Sequence, residues 1–343
     1  MADTKTDSQR KPVLPLLASS PHIASPVNSR MLMGNMLIAL APVSVFSVIN
    51  FGLPALLNII VAVVFAVGGE ALFRRATRQD IRAKDLSAGV SGLLLALIIP
   101  PSLPLWMTAL GSLFAVIVAK EFFGGLGANV FNPALAGRAF LVVSFPAAMT
   151  TWHTPQERFP LALTDATSGA SYLGLLKSGA EPAASYADIL KELFFGYHAG
   201  SAGETSGLLI LAAFAYLVIT KTIDWRAPVS MILTVFVVGF LLGFDPLLAV
   251  LSGGLLFGAV YMTTDYVTAP VLPWGKVIFG AGAGLITILI RKFGILPEGV
   301  CYSILIMNCA VPFLNKLLPR KYGFVPKKTN ASAGSTASAG GGK

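Results

Sequence analysis

Apolar positions in this chain do not alternate with polar ones, nor do they mark one face of a helix. They come in long runs, closed by short clusters of Lys, Arg, Asp, Gly and Pro. A helix of about 20 apolar residues crosses the roughly 30 Å hydrocarbon core of a bilayer. Runs near that length lie at residues 33–50, 53–73, 86–101, 103–120 and 133–150. A second set lies at 206–221, 227–243, 245–262, 275–291 and 298–315. The pattern predicts an all-α integral membrane protein of about ten transmembrane helices. Two stretches, IIPPSLP at 98–104 and TTDYVTAPVLP at 263–273, break the runs with Pro. Broken backbone is costly in lipid unless protein or a cavity covers it, so these mark discontinuous helices.

Composition agrees: of 343 residues 55% are hydrophobic and 12% charged, with mean hydropathy +0.75. One soluble core cannot bury that much apolar surface. The net charge of +9 is read as loop charge rather than a nucleic-acid footprint, because its placement is asymmetric. With the N-terminus inside, 20 of the 25 basic residues fall on the cytoplasmic side, including Lys120, Arg138, Lys221 and Lys276. Arg158, Lys177, Lys191, Arg291 and Lys292 fall outside. That is the positive-inside bias, and it predicts a multi-pass protein of a bacterial cytoplasmic (inner) membrane with both termini cytoplasmic. Residues 1–30 lack the pattern of a removable signal peptide, so the first run acts as an uncleaved anchor.

The runs divide five and five about one polar connection at 151–205, expected on the external face. The stretch from Leu86 (LSAGVSGLLLALIIPPSLPLWMTALGSL) has an echo from Leu251 (LSGGLLFGAVYMTTDYVTAPVLPWGKVIFGAG). Each passes from a Gly/Ser-rich helix through a Pro break into another helix. An odd number of crossings inverts the second copy, so the expected architecture is two inverted five-helix repeats, 31–150 and 206–318. A cytoplasmic segment 1–30 precedes them, and a low-complexity cytoplasmic tail, 319–343, follows.

Four stretches carry candidate chemistry. TDATSGASYL, 164–173, packs small hydroxyl residues around Asp165 and Gly169 with no base to activate them. Gly169 and Ala170 leave room for something bulky to approach Ser171. KEFFGGLGANVFNPALAGRAF, 120–140, carries Asn129 and Asn132 at i and i+3, a spacing that puts two amides on one helical face. Asn132 before Pro133 also suits a helix N-cap, and residue chemistry alone leaves cap and ligand open. Ser91 lies inside an apolar run, where a serine commonly bonds its own backbone. Asp265, at the inner end of the eighth run, is a candidate cation or proton relay or an ordinary helix-end residue. His22, His153 and His198 are read as exposed loop residues, and Cys301 and Cys309, eight apart, as core. Neither set has metal-ligand spacing, and no strand-G-x-G-x-x-G-helix nucleotide fingerprint is visible.

TDATSGAS, GGLGANVFNPALAGRAF and SGLLLALIIPPSLPLWMTALG together resemble the D subunit of the Rnf complex and its relative, the B subunit of the sodium-translocating NADH:quinone reductase. The resemblance covers roughly residues 30–318, and D-x-x-S-G-A-[ST] is its specific element. It implies that a flavin transferase esterifies the Ser171 hydroxyl with the phosphate of FMN. Asp165, Ser168 and Gly169 then form the recognition motif. The family often has Thr where this chain has Ser171. The resemblance further implies a non-covalent riboflavin inside the membrane, at positions matching Ser91, Asn129 and Asn132.

The implied partners are the other subunits of an Rnf-type complex: an external FMN-bearing subunit and cytoplasmic iron-sulfur and NAD-binding subunits. The implied function is passage of electrons from covalent FMN to riboflavin within an ion-translocating ferredoxin/NADH oxidoreductase, coupled to Na+ or H+. A cofactor-free secondary transporter or channel shares the inverted-repeat signature.

Overall fold

The computed structural model describes residues 28–80, 85–153, 168–169, 173–174, 185–204, 206–294 and 298–317. Helices dominate. The first, α1 (Ser29–Ala76), has 48 residues. Straight, it would be about 72 Å long, more than twice a bilayer core. It is not straight. Gly52 adopts φ 65° and ψ −144°, a conformation open essentially to glycine, and Pro54 just beyond it lacks an N–H. Gly52 thus separates the runs expected at 33–50 and 53–73.

The remaining long elements are α2 (Ser87–Ile98), α3 (Leu105–Leu113) continued by a π-helical turn at Phe114–Val118, and α4 (Pro133–Ser144). After a one-turn helix α5 (Pro146–Met149) comes a two-residue ladder. Its strands, β1 (Trp152–His153) and β2 (Ser168–Gly169), pair antiparallel, Trp152 with Gly169 and His153 with Ser168. Then follow α6 (Tyr186–Phe195), α7 (Gly207–Ile219), α8 (Arg226–Leu241) and α9 (Pro246–Leu251). The chain closes with α10 (Leu255–Phe257), which runs into a second π-helical turn at Gly258–Met262, α11 (Pro273–Phe293) and α12 (Val300–Leu317).

The protein is therefore predominantly helical and apolar, a multi-pass membrane protein, with three differences from the sequence expectation. The run at 245–262 is not one helix: Ser252 ends α9, and Gly253 and Gly254 both take φ 65° before α10 begins. The run at 133–150 stops at Phe145, because Pro146 has no N–H to continue the ladder. The connection at 151–205, read in the sequence as one polar stretch, contains the β ladder and α6, whose apolar Ile189 and Leu193 pack on Leu248. Among the described residues three helical segments, Ser29–Ala76, Leu105–Phe123 and Pro273–Phe293, are long and apolar enough to cross a membrane. The 12 residues of α2 or α4 span about 18 Å each, so each needs its neighbours to complete a crossing.

Small residues bring the helices together. A Cβ on Gly284 of α11 would lie 2.7 Å from the Met231 carbonyl oxygen of α8, and one on Gly92 of α2 2.7 Å from the Ala62 carbonyl oxygen of α1. Gly280 and Gly284 form a G-x-x-x-G pair, the spacing that lets two helix backbones touch in lipid.

Hydrogen bonds define two ends of the bundle. At one end Asn35 reaches Thr222 (3.0 Å), Tyr266 reaches the Thr222 carbonyl, and Lys120 reaches Glu70 (3.0 Å). At the other, Asn50 donates to the Gly196 carbonyl (3.0 Å) and Asn58 to the Pro101 carbonyl (2.9 Å). Gly203 N–H closes that end on the Leu97 carbonyl (2.6 Å). The described parts of the 151–205 connection thus lie at the end away from Lys120, Lys221 and Lys276. Arg138, counted with those lysines in the sequence reading, sits with the connection instead, ion-paired to Glu298.

Candidate functional site

Four of the residues singled out in the sequence meet at the Lys120 end. A cavity of about 50 Å³ is lined by Ser91, Asn129, Asn132 and Asp265, together with Lys120, Tyr261 and Tyr266. Four separated segments supply its walls: the start of α1 with Met33 and Met36, α2, the stretch from Lys120 through the glycine-rich turn to Pro133, and the second π-helical segment with the turn after it.

Each wall follows from local sequence. Gly124, Gly125 and Gly127 all take positive φ, so residues 124–131 form a tight series of turns and not the helical face expected for Asn129 and Asn132. Asn129 donates to the Phe131 carbonyl (3.0 Å) within that turn. Asn132 is the N-cap of α4: its Oδ1 accepts from Ala134 N–H (3.1 Å) and Leu135 N–H (3.4 Å). Capping occupies only its oxygen. The amide nitrogen points across to Met262 Sδ at 3.7 Å, a weak acceptor that leaves donor capacity to spare. With its oxygen toward the Asn132 N–H (3.1 Å) and its nitrogen toward Thr268 and Ile304, the Asn308 amide ties α12 to the same corner. Ser91 bonds back to the Ser87 carbonyl (3.0 Å), the ordinary helical arrangement, while lining the cavity.

Lys120 is the residue that sequence reasoning undervalues. It is 1% exposed, and its Nζ donates to Glu70 Oε2 (3.0 Å) and Ser87 Oγ (2.7 Å). Ser87 in turn donates to Asp85 (2.8 Å). Glu70 also faces Arg74 (3.4 Å), which pairs with Glu121 (3.1 Å). Two cations and two carboxylates are thus buried as one network, each charge compensated, as burial in low dielectric demands. An acidic residue such as Glu70 inside an apolar run is the available signal.

Asp265 is half-buried and accepts from Thr268 Oγ1 (2.8 Å). Burial raises its pKa, opposed by Thr268 and by the backbone N–H groups of Val267 and Tyr266, with Lys120 adding a weaker pull downward. Asp265 and Tyr266 also border a wider pocket of about 560 Å³, whose rim carries Lys221, Asp224, Trp225, Arg226 and Lys276. Asp224 is paired with both Arg226 (3.0 Å) and Lys276 (3.1 Å). Hydrogen bonds and these two cations hold its pKa below the usual value, outweighing burial.

The expected attachment motif is only partly described. Ser168 and Gly169 form β2, paired to Trp152–His153, while Asp165 and Ser171 lie outside the described residues. His22 also lies outside them. His153 and His198 are not the freely exposed residues expected, since each buries its Nδ1. Burial lowers the His153 pKa and carries that of His198 down to about 4, against the raising effect of the Glu192 backbone. Cys301 is buried and faces the Leu135 carbonyl (3.3 Å), whereas Cys309 is exposed on the helix surface. No His, Cys, Asp and Glu grouping fit for a metal ion occurs among the described residues.

Residues 16–323 match the family model described as the NQR2, RnfD, RnfE family. Among curated proteins, the chain is 40% identical over 330 residues to the D subunit of the proton-translocating ferredoxin:NAD(+) oxidoreductase complex of Clostridium ljungdahlii, covering 92% of this chain and 98% of that protein. It is also 40% identical over 321 residues to the D subunit of the Na(+)-translocating ferredoxin:NAD(+) oxidoreductase complex of Acetobacterium woodii, with the same two coverages. The D subunit of the ion-translocating oxidoreductase complex of Stutzerimonas stutzeri is 38% identical over 320 residues, covering 83% of this chain and 90% of its own. A model match over nearly the whole chain, with three such relatives, settles the lineage: the chain belongs to the NQR2, RnfD, RnfE family.

Proposed function

We propose that this chain is the membrane-embedded D subunit of an ion-translocating ferredoxin:NAD oxidoreductase complex, and that it carries electrons between FMN bound to Ser171 and riboflavin bound in the Lys120-end cavity. The observation that carries the reading is the convergence of Ser91, Asn129, Asn132 and Asp265, from three separated segments, on one cavity. The names of the relatives support the complex and the ferredoxin:NAD reaction class.

The donor set fits a flavin. Asn132 has a free amide donor, Asn129 a second amide, Ser91 a hydroxyl, Lys120 a fixed cation and Tyr266 a phenol ring. Amides and a cation at such a site would bind the polar edge of the ring and tune its potential, and the flavin supplies the one- and two-electron chemistry. The closed volume of about 50 Å³ is well below the roughly 300 Å³ of ordinary cofactor sites. Loading therefore needs the turn at 263–267 to shift toward the 560 Å³ pocket that shares Asp265 and Tyr266.

Two inverted five-helix repeats, 31–150 and 206–318, remain the architecture we favour. Pro101-Ser-Leu-Pro104 and Pro270-Val-Leu-Pro273 precede matching helices. Positive φ occurs in each L-S-[AG]-G stretch but at different positions, at Leu86 just before α2 and at Gly253 and Gly254 between α9 and α10. A buried cation reaches the serine of each stretch, Lys120 the Ser87 hydroxyl and Arg291 the Ser252 carbonyl. In this reading both termini are cytoplasmic, and the 151–205 connection faces outward to receive electrons from an FMN-bearing subunit. Iron-sulfur and NAD-binding subunits dock on the Lys221 end, and Asp265 serves the Na+ or H+ path.

The test is covalent flavin. The chain is expressed with its flavin transferase, denatured and run on a gel, where wild type shows a fluorescent band and Ser171→Ala is dark. A dark wild-type band, or a glowing Ser171→Ala, refutes the carrier assignment. Asn132→Leu should leave the band intact while the non-covalent flavin released on denaturation falls several-fold.

A further inference from the structure

The opposite end of the bundle holds a second buried ionisable cluster that the electron-carrying reading does not use. Glu204 and Arg138 are each 7% exposed and Arg291 is 4% exposed, with Glu298 half-buried beside them. The turn Gly200–Gly203 is fixed on α2, Ala202 N–H donating to the Ile99 carbonyl (3.3 Å) and Gly203 N–H to that of Leu97 (2.6 Å). That anchoring drives the Glu204 carboxyl inward. Its Oε1 accepts from Ser201 N–H (3.0 Å), while its Oε2 is buried with no hydrogen-bond partner among the described residues.

Glycine makes room for it. A Cβ on Gly254 would stand 2.6 Å from Oε2, and one on Gly200 2.5 Å from Oε1. Neither arginine claims the orphan oxygen. Arg138 gives Nη2 to Glu298 and leaves Nε without a partner. Arg291 spends its donors on the carbonyls of Ala249 (2.5 Å), Ser252 (3.0 Å) and Glu298 (3.1 Å). An ionised carboxylate in this position would keep a desolvated oxygen with nothing to bind it, which is costly, whereas a protonated carboxyl carries no charge there.

We propose that Glu204 is a proton-binding site, its Oε2 taking a proton from water at the 196–204 end of the bundle, with Glu298 and Arg138 setting the affinity. One O–H bond forms on Oε2 as one O–H bond of a hydronium ion in bulk water breaks, its electron pair staying on the water oxygen, and the charge of the four-residue cluster rises by one. The groups facing the carboxyl are Glu298 from the start of α12, Arg138 from α4, Arg291 from α11 and Ser201 from its own turn. Burial first, and then Glu298, push the Glu204 carboxyl up to about 7, while Ser201 and Arg138 pull it down. The site stands independently of any flavin.

Infrared difference spectra of the intact complex between about pH 5.5 and about pH 8.5 bracket such a group. A buried carboxylic C=O band should disappear as pH rises, with a midpoint near 7, and Glu204→Gln should remove that band. Glu298→Gln keeps Glu204 and deletes the neighbouring negative charge, so the midpoint should fall by about half a unit or more. A band that persists unchanged in Glu204→Gln, or that wild type lacks, overturns the proposal. A midpoint indifferent to Glu298→Gln overturns the role given to Glu298, even if Glu204→Gln fails to fold.

Discussion

Replacing Lys120 by Met tests whether the network behind the cavity is held by charge balance or merely filled. The side chain is nearly sealed from solvent, and its Nζ is 3.0 Å from Glu70 Oε2 and 2.7 Å from Ser87 Oγ. At an effective dielectric near 20, unit charges 3 Å apart interact by roughly 5 kcal/mol. Glu70 keeps a second cation, Arg74, at 3.4 Å, so the variant does not strand a bare carboxylate. It leaves two carboxylates sharing one arginine. The expected cost is therefore about 3 kcal/mol, the lower end of the range for breaking a buried pair. Tryptophan fluorescence melts of the purified chain should show a midpoint several degrees below wild type.

The decisive arm is the double variant Lys120→Met with Glu70→Gln, which removes one charge of each sign and restores balance. It should recover at least about 1.5 kcal/mol relative to Lys120→Met, because neutral replacements of a buried pair are often nearly without cost. Should Lys120→Met melt within a degree of wild type, or the double variant melt lower still, charge compensation is not what holds this corner. The proposed riboflavin site supplies a second readout: Lys120 lines the cavity, so on that proposal its loss should lower non-covalent flavin content independently of stability.

Gly284→Val should lower the melting midpoint by an amount equivalent to about 1–3 kcal/mol, because its Cβ has a carbonyl oxygen at 2.7 Å. Gly34→Ala, with nothing within 4 Å of the new Cβ, should change it little. Asp245→Ala removes an N-cap that accepts from Leu247 and Leu248 N–H, both at 3.0 Å, and should cost about 1 kcal/mol with flavin content unchanged. The pH profile of stability should show two opposed contributions. Glu204 binds its proton more tightly folded than unfolded, so its contribution is full below about 4.5 and is lost as pH rises to about 7. His198, whose pKa falls from 6.5 to about 4 on burial, contributes above 6.5 and is lost as pH falls through 4. His198→Gln should unmask the Glu204 arm as a stability that declines from pH 4.5 to 7. A His198→Gln profile flat over that window, measured by melting midpoint, would refute the assignment.

The membrane class and most helix positions are legible because long apolar runs are unambiguous, and both Pro breaks interrupt regular helix, at 99–104 and at 263–272. What escapes are events decided by single residues. The Gly253–Gly254 pair ends one helix and starts another within a run that hydropathy reads as continuous. Asn129 and Asn132 do line one cavity, but not from one helical face. Three positive-φ glycines put them on turns, so their convergence is a product of loop geometry and not of helical spacing. In the sequence, Lys120 and Arg138 are only charges to be counted for sidedness. Their partners, Glu70 and Glu298, are 50 and 160 residues away along the chain, and no local pattern signals a pair at that separation.

The two π-helical turns explain how a bundle of short helices aims side chains at one point. A π turn carries an extra residue per hydrogen-bonded ring, and such turns are frequent at functional sites. One, Phe114–Val118, ends two residues before Lys120, and the other, Gly258–Met262, contains Tyr261 and Met262 and ends three before Asp265. The extra residue rotates everything that follows it relative to the helix before. Lys120 is thereby turned inward to Glu70 and Ser87, and Met262 is brought opposite Asn132. Within the second π turn, Tyr261 is locked by donating to the Ala39 carbonyl (3.1 Å), which fixes α1 against the same wall. An uninterrupted α-helix through either stretch would point Lys120 or Met262 elsewhere and separate the cation from the amides. The cavity thus depends on where regular helix is interrupted at both of its ends, which is the feature that hydropathy averages away.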